Sequence, residues 1–269
     1  MKFKSMLQES KKNQWKELII LISLGISLII VALYNYYLQP WTLDDAFITF
    51  RYAENFVEGK GIVYNEGEYV EGYTCFLWLI LLAGLKKIGL DLLLASKVLG
   101  ILFTFLTIFL ASQLHKIISG THWLVSVIAV LLMGTFGTFT AWAMSGMETS
   151  MTAFLIFLTF LLFSSLISRD SKSRVGYFFV GILSALATMS RPDAGIILPV
   201  LTFCSVIHCY KEKRWSSSIL IILGFSILFV PYFIWRYYYY GWLLPNTFYV
   251  KVGSSIEQIK RGFTYTKDF

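Results

Sequence analysis

The sequence predicts an all-α, polytopic membrane protein on three observations. Its 269 residues are 57% hydrophobic and 14% charged, with a mean hydropathy of +0.66, too apolar for a soluble domain of this size. Apolar runs recur near the roughly 20-residue length that a helix needs to cross a hydrocarbon core of about 30 Å. Aromatic residues reach 17%, and several cluster beside those runs, as rings at headgroup level do. This composition excludes disorder and a secreted disulfide scaffold. Cys75, Cys204 and Cys209 are too few for a disulfide framework, and Cys204 and Cys209 lie in an apolar run of membrane-spanning type, where cysteine serves as a small hydrophobe. The net charge of +7 does not point to nucleic acid. Lys and Arg fall in short blocks between apolar runs, with no basic patch interleaved with aromatics.

Taken in order, the runs are 18–38, 74–89, 92–114, 123–141, 149–168, 175–190, 194–210 and 216–235. The first follows Lys2, Lys4, Lys11, Lys12 and Lys16. It is too long for a signal sequence and lacks a small-residue cleavage site, so it reads as a retained anchor. Short cytoplasmic loops carry excess Lys and Arg, which marks the N-terminal lysines, then Arg169, Lys172 and Arg174, then Lys211, Lys213 and Arg214. The first two blocks share a side only if an even number of crossings separates them, yet five runs lie between. The run 74–89 is short and ends on Lys86 and Lys87, so it is expected to lie in the interface. Seven crossings follow, with the N-terminus inside. Residues 1–17 form a cytoplasmic segment, 18–38 the first membrane helix, 39–91 an outer loop, 92–235 a six-helix membrane region and 236–269 an outer aromatic segment.

The outer loop is acidic. Residues 39–73 hold seven of the sixteen acids, Asp44, Asp45, Glu54, Glu58, Glu66, Glu68 and Glu71, against Arg51 and Lys60. Thr42 as N-cap, with Gly59 and Gly61 as stop signals, predicts an amphipathic helix over 43–57. Asp44 and Asp45 then sit in its first turn, where the helix dipole favours their ionised form. Asp44, Ile48 and Arg51 share one face. An ordinary capped surface helix would give the same pattern, so the other outer turns matter. They carry Glu148, then Arg191 with Asp193, then Arg236 and Lys251. Ionisable groups at membrane depth are costly, so they normally face a polar cavity or the interface. The run 175–190 barely spans, which draws Arg191 toward membrane depth. Arg236 adjoins the tyrosines at 237–240 and reads as an interface anchor. Carboxylates able to act as bases, beside cations able to hold a phosphate, suit a lipid-phosphate substrate. An aspartate would take the proton from an acceptor hydroxyl while Arg or Lys neutralises the departing phosphate. The chemistry that fits is glycosyl transfer from a lipid carrier.

The stretch Leu43-Asp44-Asp45-Ala46-Phe47-Ile48-Thr49-Phe50-Arg51-Tyr52-Ala53, continuing through Val70-Glu71-Gly72-Tyr73-Thr74 and Phe76-Leu77-Trp78, resembles the first outer loop of GT-C class polyprenyl-phosphate-sugar glycosyltransferases. The nearest branch is the one containing the mycobacterial terminal arabinofuranosyltransferase. Ser145-Gly146-Met147-Glu148-Thr149, Arg191-Pro192-Asp193 and Leu244-Pro245-Asn246-Thr247-Phe248-Tyr249-Val250-Lys251 resemble later motifs of that branch, and the likeness covers about residues 18–262. It implies a GT-C-like helix bundle in the plasma membrane that moves a sugar from a polyprenyl-phosphate donor to a glycan, lipid or protein hydroxyl on the outer face. Asp44 and Asp45 would hold the catalytic acid position, with Asp44 favoured as base because it shares a face with Arg51. Arg51, Arg191 and Lys251 would contact the donor phosphate. Glu71, Tyr73, Glu148, Asp193, Asn246 and Tyr249 would line the substrate site. Family members continue through further helices into an outer soluble domain, whereas this sequence ends at Phe269. Residues 236–269 are therefore expected to begin a missing C-terminal region, the sequence reading as a fragment, a split gene or a minimal version that needs a partner. Cys75 stands where a small polar residue such as Asn is expected.

No organic cofactor is called for. Asp44, Asp45 and Glu148 are hard oxygen donors suited to Mg²⁺, Mn²⁺ or Ca²⁺, and because the class includes metal-using and metal-free members, the sequence assigns no metal. Cys204, His208 and Cys209 share one helix but lack the fourth ligand of a zinc site. His115 and His122 read as interfacial residues flanking an inner loop. The glycines beside the membrane runs suit close helix packing. A transporter or flippase of lipid-linked sugars, with the same charges lining a path, is the alternative, although no internal repeat of that kind is visible. A non-catalytic subunit or fragment of such an enzyme is the other alternative.

Overall fold

The computed structural model describes residues 2–209, 215–251 and 256–267, and every regular element among them is helical. The helices are α1 (Lys2–Tyr37), α2 (Asp45–Val57), α3 (Phe76–Lys87), α4 (Leu92–Ser112), α5 (Leu114–Ile117), α6 (Trp123–Thr135), α7 (Gly137–Ala141), α8 (Thr149–Ser168), α9 (Arg174–Ser190), α10 (Ile197–Cys209), α11 (Ser216–Tyr240), α12 (Asn246–Lys251) and α13 (Ile256–Lys267). Short 3-10 turns at Trp142–Met144 and Pro192–Ile196 precede α8 and α10.

Four stretches are long and apolar enough to cross a membrane: Asn13–Tyr37, Leu92–Ser112, Thr149–Ser168 and Ser216–Tyr240. The run expected over 123–141 is broken. Phe136 has an extended ψ of 93°, and Trp123–Thr135 meets Gly137–Met144 at a 63° bend, a fifth span if the two count as one. Arg174–Ser190 and Pro192–His208 are apolar but shorter. By length and composition four stretches qualify as spans, or five with the bent pair counted as one, and the expected seven would need the two shorter helices as well. The last long helix also runs to Tyr240, five residues past the expected end at 235. The Lys211, Lys213 and Arg214 block lies outside the described residues.

The structure shifts the start of the acidic-loop helix. Asp44, not Thr42, is the N-cap, and its Oδ1 accepts from the Asp45 amide at 3.0 Å. The Leu43 amide, which a helix start leaves without an intrahelical acceptor, donates to the Ser145 carbonyl at 3.0 Å and ties the start of α2 to the 145–148 turn. At 12 residues, α3 rises only about 18 Å, short of a hydrocarbon core, as its expected non-crossing role requires. It buries Trp78, Leu79 and Leu82 in the main core, together with Phe50 and Tyr52 of α2 and Met151 and Leu155 of α8.

The bundle has two distinct ends. At one, Glu17 meets His115 Nε2 at 3.2 Å and Lys116 Nζ at 2.6 Å, and Arg169 Nη2 donates to the Lys116 carbonyl at 2.7 Å. At the other gather α2, the 145–148 turn, the 191–193 turn and the C-terminal end of α11. Helices α9 and α11 touch backbone to backbone. A Cβ on Gly181 would lie 2.0 Å from the Ile221 oxygen, and one on Gly224 would lie 2.1 Å from the Phe178 oxygen.

Candidate functional site

The 145–148 turn is the hub of the α2 end. Gly146 adopts φ +81°, a left-handed conformation open to glycine at little cost, and a Cβ there would stand 2.9 Å from that of Ala46. The Trp78 indole donates to its carbonyl at 3.1 Å. This packing seats the turn under α2 and turns Glu148 inward, where the residue is 2% exposed.

Arg191 reaches Glu148 from the next turn along. Its Nη1 donates to Glu148 Oε1 at 3.0 Å, and its Nε and Nη2 donate to Asp193 Oδ1 and Oδ2, each at 3.1 Å. The position is dictated locally: α9 ends at Ser190, Arg191 is extended (φ −148°, ψ 126°), and Pro192 starts the following turn. Burial raises the Glu148 carboxyl above its ordinary value, opposed by Arg191. Asp193 goes the other way, lowered by its hydrogen bonds from Arg191. Glu148 Oε2 is buried without a hydrogen bond of good geometry, beside the Cys75 thiol. Burial lifts that thiol far above its ordinary value, with the Glu148 charge next in importance. Cys75 Sγ also contacts Thr49 Oγ1 at 3.3 Å, so the residue occupying the expected small polar position is packed between α2 and the acidic turn.

From Arg191 and Asp193 an apolar groove of about 660 Å³ runs along α8 and α10, past Trp142, Ile156, Phe160 and Val200. The guanidinium remains partly accessible at 39% side-chain exposure, so the groove has a charged head and a hydrocarbon-like body.

A second cluster joins the outer loop to the end of α11. Arg236 Nε donates to Glu71 Oε1 at 2.9 Å, and Nη2 meets Oε2 at 2.6 Å as an ion pair outside hydrogen-bond angles. Both side chains are at most 5% exposed. Arg236 Nη1 also donates to the Leu243 carbonyl at 2.8 Å, and the Asn246 amide donates to the Glu71 carbonyl at 3.0 Å. The interface-anchor reading of Arg236 is therefore corrected: its head group is buried on a carboxylate instead of lying among headgroups. Burial raises the Glu71 carboxyl, opposed by Arg236. Sequence reasoning missed this partnership because 165 residues separate the pair, although two ionisable residues beside apolar runs were the available signal.

The other expected site residues divide. Asp44, Asp45 and Arg51 are exposed on α2, and no described hydrogen bond or ion pair links them to the Glu148–Arg191 group. Tyr73 is 3% exposed, with its hydroxyl 3.1 Å from that of Tyr240. Asn246 and Tyr249 are exposed on α12, where the Tyr249 ring lies 5.5 Å from Trp242. The Lys251 side chain lies outside what is described. Among the described residues no three His, Cys, Asp or Glu side chains converge as a metal site, so Asp44, Asp45 and Glu148 are not gathered into one ligand set.

The chain is 24% identical over 261 residues to the terminal β-(1→2)-arabinofuranosyltransferase of Mycobacterium tuberculosis, covering 92% of this chain and 41% of that protein. It therefore spans about two fifths of the length of the curated relative it matches. No protein-family model matches the chain, and no solved structure does. The likeness is distant, and it is to a glycosyltransferase.

Proposed function

We propose that the chain is a membrane glycosyltransferase of the GT-C type, moving a sugar from a polyprenyl-phosphate donor to a glycan, lipid or protein hydroxyl at the outer face of the plasma membrane. The observation that carries this reading is Arg191, a guanidinium held by Glu148 and Asp193 at the head of an apolar groove. A phosphate attached to a long hydrocarbon needs a cation at the head and an apolar trough behind it. The distant likeness to an arabinofuranosyltransferase supports the same class of reaction.

In this reading Asp44 or Asp45 takes the proton from the acceptor hydroxyl, whose oxygen attacks the anomeric carbon of the donor. The bond from that carbon to the phosphate oxygen breaks, and polyprenyl phosphate leaves with its charge neutralised by Arg191. Asp44 has one oxygen engaged by its helix cap and is otherwise exposed. Arg51 and Lys251 are the remaining phosphate candidates. Glu71, Tyr73, Glu148, Asp193, Asn246 and Tyr249 shape or support the substrate space. A divalent cation would have to draw on Asp44, Asp45 or Glu148. Seven crossings fit the way successive turns alternate between the Glu17 end and the Glu148 end, with the bent pair and the two shorter helices each counted once.

The test is D44N combined with D45N. Transfer from a polyprenyl-phosphate sugar is expected to vanish while membrane insertion persists, and undiminished transfer would refute the assignment. Reconstituted vesicles separate this activity from a flippase, which moves intact donor between leaflets without consuming it.

A further inference from the structure

A second, more enclosed cavity of about 110 Å³ lies between α11 and the 191–193 turn. Its walls include Glu71, Thr74, Thr188, Tyr232, Phe233 and Arg236, with Pro192 on the side of the Arg191 turn and Leu244 and Pro245 on the outer side. The volume is several times what one water requires and well below the roughly 300–1,000 Å³ of a pocket for a drug-sized ligand. One six-atom-scale ring is the size it suggests.

The lining chemistry narrows the ligand class. Arginine has five N–H donors. Glu71 and Leu243 engage Nε, one Nη1 hydrogen and the Nη2 edge, which leaves donors on a buried side chain for a ligand. The Thr74 and Tyr232 hydroxyls make no hydrogen bond among the described residues, so they too are available at the cavity wall. The rings of Tyr232, Phe229 and Phe233 supply flat apolar surface. An alkyl tail would leave those polar groups unsatisfied, which is costly. A free phosphate needs an open cation, and the Arg236 side chain, unlike the partly accessible Arg191, is only 5% exposed. A compact polyol with one apolar face satisfies every wall.

We propose that this cavity is a monosaccharide subsite that holds a single sugar ring. In it the ring packs against Tyr232 and Phe233, and its hydroxyls meet Thr74, Tyr232 and the Glu71–Arg236 pair. Pro192 places it next to the candidate phosphate contact. The inference rests on the glycosyl-transfer reading for which ring enters, donor or acceptor, but not for the binding itself.

The experiment is saturation-transfer NMR on the full chain in nanodiscs, with methyl pentosides and methyl hexosides as probes. It is run on the wild type and in the D44N/D45N background. At least one glycoside should show saturation transfer in both. Y232F and T74V keep the cavity shape and should each weaken it roughly five- to tenfold, as loss of one hydrogen bond does, with melting temperatures unchanged. Absence of transfer to every probe, or signals equal in wild type and variants, would overturn the subsite. Binding without sugar-transfer activity in the wild type would keep the subsite and sink the enzymatic reading, and activity insensitive to both variants would do the reverse. In an active protein, a raised KM for donor or for acceptor under Y232F identifies which ring is held.

Discussion

Two buried glutamates, Glu71 and Glu148, each face an arginine at the α2 end. Among the described residues Arg236 is the one close cation of Glu71. Breaking that pair with R236M would leave a buried carboxylate uncompensated, at a cost of about 3–5 kcal/mol. The expected outcome is a large fall in melting temperature in detergent, largely restored in E71M/R236M, where both charges go together. Glu148 gives a pH signature. Burial raises its carboxyl above 4.5, so the folded chain binds that proton more tightly than the unfolded chain. Its contribution therefore favours the fold at low pH and is lost as pH rises from the ordinary carboxyl value through the folded one. Asp193, lowered by Arg191, has the opposite sign: its contribution is present above its ordinary value and lost as pH falls through the depressed one. Melting curves of E148Q across this range should show a smaller decline with rising pH, the part set by Glu71 remaining, and keep the loss at low pH. A profile identical to the wild type would show that the Glu148 carboxyl does not titrate differently in the fold.

Elements meet here through glycine. G146A places a side chain at φ +81° and against Ala46, with a conformational cost of about 1–2 kcal/mol. It should lower the melting temperature modestly and lower transfer more, because the turn carries Glu148. At the α9–α11 crossing, G181A forces a methyl into the Ile221 carbonyl. The helices must then part, at roughly 1–3 kcal/mol. Thermal unfolding in detergent should register that loss, while a substitution at an open glycine such as G25A, with nothing within 4 Å, should leave stability near the wild type.

For the whole molecule, orientation is the decisive property. In a background lacking Cys204 and Cys209, a cysteine replacing exposed Tyr69 should react with an impermeant maleimide on intact cells. One replacing Lys116 should react after permeabilisation alone. The reverse pattern would place the α2 end in the cytosol, away from the donor that the proposal requires.

Much of this architecture was legible because membrane burial writes itself into composition along a single stretch of chain. Apolar length located α4 and α8 almost to the residue, and Asp91 and Ser173 cap α4 and α9 through their own side chains. Residues 43–57 stand out as an acidic helix, and Glu148, Arg191 with Asp193, and Arg236 with Lys251 as charges on the outer turns. Other features depend on contacts between distant segments. Asp44 rather than Thr42 caps α2, and because both are good N-cap residue types the local pattern does not choose between them. The break at Phe136 had no strong local signal, since Gly137 alone permits a bend without requiring one. Arg236 sits beside a tyrosine run that suits an interface, and only a carboxylate arriving from the first outer loop turns it inward. Local hydropathy and capping therefore specify which segments are helical and apolar and which residue types occupy the turns between them. Which charges are paired, buried or left facing a cavity is set by the folded arrangement instead, because the energy of an ion depends on the atoms that surround it in space.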